Sequence, residues 1–176
     1  IVLRVMRDME LVAEIQTGQD GVYSYTEAPT LLPGQRYYIS FDNYLNSSNP
    51  NWLNKWVTLG IDSYTQGVEV LMGNFDIANV NVNAPASGAT INLPYTFGWD
   101  VRTDLPKAEG YQIRIVGVGK TPYFSGELGQ VGSLTLNEAD LADDQFSGDS
   151  SYWAIGIYRD DGAWGEVSLQ PLFIRR

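Results

Sequence analysis

The sequence predicts an all-β protein made of two β-sandwiches in tandem. Three observations lead there. Residues that favour strands are abundant, with 11 Tyr, 6 Phe and 5 Trp in 176 residues. Apolar side chains alternate with period two along much of the chain, and 18 Gly with 8 Pro cut that alternation into short runs. The length allows one large domain or two units of about 85–90 residues each. We expect the first unit over residues 1–83 and the second over 84–176. They divide at Asn83-Ala84-Pro85-Ala86-Ser87-Gly88-Ala89, the clearest punctuation in the chain.

Each element follows from local pattern. Ile1, Leu3 and Val5 share one face of a first strand, and Leu11, Ala13 and Ile15 share one face of the next. A turn at 17–21 leads into Val22-Tyr23-Ser24-Tyr25, and a second turn at Leu32-Pro33-Gly34 leads into a strong strand, Arg36–Phe41. The span Asp42–Trp56, rich in Asn, Ser and Pro, reads as a long loop; strand character resumes at Trp56–Ile61 and from Val68 to Val82. In the second half we expect strands at Tyr95–Val101, Tyr111–Val116, Pro122–Ser125, Ser133–Leu136, Tyr152–Tyr158 and Val167–Ile174. Asn137–Asp144 is the one helical candidate, too short to stand alone and better suited to a single turn between strands.

Composition excludes several chemistries. The chain has no Cys and no His, which removes disulfides, thiolate metal sites, cysteine nucleophiles and the commonest general base and transition-metal ligand. Its formal net charge of −10 opposes binding to nucleic acid or to an anionic membrane, because phosphate contacts need clustered Lys and Arg. No apolar run is long enough for a membrane-spanning helix. The chain opens inside a strand-like run, Ile1-Val2-Leu3-Arg4-Val5, with no start Met, as expected of a segment from a longer polypeptide.

Two groups of residues carry family resemblances. Thr17-Gly18-Gln19-Asp20-Gly21-Val22-Tyr23-Ser24-Tyr25, followed by Leu32-Pro33-Gly34-Gln35-Arg36-Tyr37-Tyr38-Ile39, resembles carboxypeptidase regulatory-like (prealbumin-like) domains. Gly73–Val80 looks like their last strand. The family's usual opening strand and hairpin have no counterpart before Ile1–Arg7, so a first strand is missing by that comparison. In the second half Trp99 within Tyr95-Thr96-Phe97-Gly98-Trp99, then Tyr111–Ile115, Leu134–Leu136 and Tyr152–Ile157, resemble the strands of a fibronectin type III module, with Asp160–Gly165 as its last hairpin. Both resemblances imply Greek-key, immunoglobulin-like sandwiches used as spacers, stalks or adhesion surfaces, and neither implies catalysis. Alternation assigns Phe97, Trp99, Ile113, Ile115, Trp153, Ile155 and Ile157 to the core.

Candidate sites are few. Tyr44, Trp52 and Trp56 lie in or beside the long loop among Asn43, Asn46, Asn49, Asn51 and Asn54, a mixture of flat rings and amides suited to stacking on sugars and bonding their hydroxyls. The competing reading is that Trp52 and Trp56 cover the open end of the first sandwich. The acidic residues Glu138, Asp140, Asp143, Asp144 and Asp149 lack the spacing of an EF-hand and read as a solvated turn, with calcium binding left open. Paired carboxylates can hydrolyse glycosides, but no pair among the 21 acidic residues stands out. The first strand has no Lys, which argues against the Lys–Asn crosslinks of collagen-adhesin repeats. We therefore expect no catalytic residues, no metal and no cofactor. The expected function is a structural or adhesive module of a secreted or cell-surface protein, contacting neighbouring domains and a glycan or protein partner. The rival is a carbohydrate-binding module centred on the aromatic loop.

Overall fold

A computed structural model describes the chain except residues 44–52, 74–79, 103–108, 143–149, 168 and 176. The described residues are all-β, with two sheets and a single turn of 3-10 helix at Glu138–Asp140. The strands are β1 (Val2–Arg7), β2 (Glu10–Gln16), β3 (Tyr37–Asp42), β4 (Leu53–Val57), β5 (Val82–Ala84), β6 (Ala89–Asn92), β7 (Tyr95–Trp99), β8 (Glu109–Gly117), β9 (Tyr123–Phe124), β10 (Ser133–Leu136), β11 (Ser150–Arg159), β12 (Trp164–Val167) and β13 (Gln170–Arg175).

The first four strands lie in the order β2-β1-β3-β4, all antiparallel. Their alternation buries Leu3, Val5, Tyr37, Ile39, Phe41 and Trp56 on one face and turns Arg4, Tyr38 and Lys55 to the other. Because β2 folds back on β1, the strand that begins the chain is internal to its sheet and not an open edge. The buried face is covered by irregular chain, including Ala28, Leu31, Tyr23, Tyr25 and Tyr64.

Val22–Tyr25 and the described part of Val68–Val82, expected as strands, are coil, except that Val82 begins β5. Tyr23 and Tyr25 do pack against the core, so the alternation reported which side chains face inward. It did not report ladder pairing. At this point Asp20 Oδ1 accepts the Val22 N–H at 3.0 Å, satisfying locally a donor that a strand would need for its neighbour. The turns at Gly21 and Gly34 do have the left-handed backbone expected there, with φ of 79° and 86°.

β10-β7-β5 form a three-stranded sheet, and its edge strand β5 runs through the expected division between residues 83 and 84. The facing layer is β9-β8-β11, with β12 and β13 pairing successive stretches of the other side of β11. The expected strand Val167–Ile174 is thus two strands, and Ala89–Asn92, which begins at the end of the punctuation and was not expected as a strand, is a short strand parallel to β13. All seven residues that alternation assigned to the core are buried. Phe97 of β7 meets Trp153 of β11 edge-on with ring centroids 5.0 Å apart, and Trp99 meets Tyr111 of β8 at 5.8 Å, so the two layers interlock through aromatic rings.

The sheet does not stop at the division between halves. β12 pairs antiparallel with β4, registering Trp164 with Val57, Gly165 with Trp56 and Glu166 with Lys55. Ten strands from both halves therefore belong to one sheet, and the buried apolar residues form one cluster.

Candidate functional site

The sheet's outer face carries a crowded polar surface around this junction. Period two places Arg4 of β1, Tyr38, Ser40 and Asp42 of β3, Lys55 and Val57 of β4, and Trp164 and Glu166 of β12 on that face. Charges of opposite sign follow one another across the strands. Arg4 lies 3.3 Å from Glu14 of β2 and 3.6 Å from Asp42. Lys55 sits between Asp42 and Glu166, its partners in register, with its ammonium 4.7 Å from the centre of the Trp164 ring. Glu166 is bound by Arg114 of β8 at 2.8 Å.

Burial dominates the electrostatics of the two carboxylates. Glu166 is held above the ordinary glutamate range because it loses hydration, although Arg114 and Lys55 pull the other way. Asp42 is raised for the same reason, opposed by Arg4 and then Lys55.

Two shallow concavities meet at Trp164, whose residue is 41% exposed. The larger, about 450 Å³, runs from Arg4 and Asp42 past Tyr38 and Lys55 to a wall at Leu59, Gly60 and Gly162. Arg36 lines it too, with its aliphatic stem against Gly60. The smaller, about 320 Å³, lies between Trp164, Tyr158, Arg114 and Phe124.

The aromatic-loop residues fare differently. Tyr44 and Trp52 lie outside the described residues. Trp56 is fully buried, packed under Gly165 with the Arg159 guanidinium 5.8 Å from its ring centre, so its faces are closed to a ligand. Sequence reasoning missed Tyr38, Lys55 and Trp164 as a group. The signal for Tyr38 was present, since alternation that buries Tyr37 and Ile39 turns Tyr38 outward. Trp164 was read only as part of a hairpin.

Within the acidic segment, Asp140 closes the single helical turn by accepting the Asn137 N–H at 2.7 Å, while Asp143, Asp144 and Asp149 lie outside the described residues. Among the described residues no group of three or more His, Asp or Glu is arranged to hold a metal ion, and no helix is long and apolar enough to cross a membrane. Comparison with family models, with curated proteins and with solved structures finds no match for this chain.

Proposed function

We propose that this chain is a non-catalytic structural and adhesive segment of a larger secreted or cell-surface protein, composed of two Greek-key modules joined edge to edge. The observation that carries this reading is the β4–β12 pairing. Modules joined only by a linker swing independently, whereas a shared ladder makes them one stiff unit that presents a fixed surface. The order β10-β7-β5 opposite β9-β8-β11 with the final strand supports a fibronectin-type second module. The four-stranded β2-β1-β3-β4 layer supports a prealbumin-like first module whose second layer is largely irregular chain. Both concavities are shallow and open to solvent, which suits docking against an extended surface better than enclosing a substrate.

Pulling the chain by its two ends in a force spectrometer tests the structural part. Discrete unfolding events at forces that fall when the β4–β12 pairing is weakened are expected. Turnover of a glycoside, ester or peptide that is lost when one Asp or Glu becomes its amide would overturn the reading.

A further inference from the structure

We propose that the larger concavity, across β1, β3, β4 and β12, is a binding site for a carboxylate-bearing polysaccharide such as a polyuronate. The inference rests on the adhesive reading above and gives it a site and a ligand class. Charge is the first argument. The chain holds 11 Lys and Arg against 21 Asp and Glu, yet this trough is lined by Arg4, Arg36 and Lys55 with Asp42 as its one carboxylate. Glu14 and Glu166 stand only at its margins. Arg4 is committed to Glu14 and Asp42, but neither Arg36 nor Lys55 makes an ion pair among the described residues. Both therefore keep donors for an incoming carboxylate.

Shape and ring chemistry are the second argument. Tyr38 and Trp164 stand on strands two places apart, roughly 10 Å between strand axes, along an open trough that an extended chain of sugar rings can cross. Ring faces take the CH surfaces of sugars. An acidic peptide is the less suitable occupant. Extended peptides gain affinity by adding to a free strand edge, and β3 and β4, which floor this trough, are already paired on both sides.

Titration of the whole chain with sodium polygalacturonate, followed by calorimetry and Trp fluorescence, tests the site, with dextran and polyglutamate as controls. Saturable binding to polygalacturonate is expected, weakening with added salt. Trp164→Ala and the double change Arg36→Gln with Lys55→Gln should each weaken it by about tenfold, and Trp164→Phe should restore most of the loss. Near-ultraviolet circular dichroism of each variant establishes that the buried Trp99 and Trp153 remain packed. No saturable binding, equal binding to dextran or polyglutamate, or binding that the folded variants leave unchanged would each overturn the proposal. Release of reducing ends from the polymer would instead overturn the non-catalytic reading while leaving the site in place.

Discussion

Trp56 is the residue that most directly ties the two halves together. It belongs to β4, yet its ring lies against Gly165 of β12 and beneath the Arg159 guanidinium of β11. Truncating it leaves a void between strands whose ladders prevent collapse, so Trp56→Ala is expected to cost about 3–5 kcal/mol, seen as a lower urea midpoint at unchanged slope.

Glu166 gives a prediction of opposite character, because its burial favours the protonated form. Between the ordinary glutamate pKa and the raised one, the folded chain binds the proton more tightly than the unfolded chain. Its contribution to stability is therefore greatest on the acid side of that window and declines as pH rises through it. Glu166→Gln removes this titration. The unfolding free energy of the wild type minus that of the variant should fall as pH rises through and above the ordinary glutamate range. A flat difference would mean that Arg114 and Lys55 cancel desolvation, and a rising one that they outweigh it.

At the scale of elements, the β4–β12 seam depends on a missing side chain. A Cβ at position 165 would press into the Trp56 ring and come within 2.7 Å of the Lys55 carbonyl oxygen. Gly165→Ala is therefore expected to force the seam apart at a cost of about 1–3 kcal/mol, with amide exchange quickening first in β4 and β12. The β3–β4 pair has its own clasp just past the end of β4. Thr58 accepts the Ile39 N–H on its hydroxyl at 3.0 Å, and its own N–H donates to the Ile39 carbonyl at 3.0 Å. Thr58→Val strands the buried Ile39 donor and should cost about 1–3 kcal/mol in thermal or urea unfolding. Neither contact was legible in the sequence, since each joins residues whose proximity depends on strand order.

For the whole molecule, the question is how far each half folds by itself. The second half has its own facing layers and its own interlocked rings, but β12 loses a partner when β4 is absent. Residues 80–176, which keep β5 whole, expressed alone should unfold cooperatively, with Trp99 and Trp153 still buried, at a lower midpoint than the full chain. A fragment without tertiary signal in near-ultraviolet circular dichroism would mean that both halves are one folding unit. Joining the halves through a ladder also creates the larger concavity at Trp164, which draws on β1, β3, β4 and β12 together.

Local pattern was enough to read the strand class and, in the second half, which residues face inward. The reason is physical: a buried face must be apolar at every second residue whatever strand lies beside it, so Phe97, Trp99, Ile113, Ile115, Trp153, Ile155 and Ile157 were readable in place. Which strand pairs with which was settled by the assembled fold. Tyr23 and Tyr25 alternate as a strand does and yet lie in coil, because a ladder needs a neighbour that local pattern cannot supply. The joining of β4 to β12 is likewise a backbone hydrogen-bonding choice between segments more than a hundred residues apart, and every residue but proline presents the same main-chain N–H and C=O groups to it.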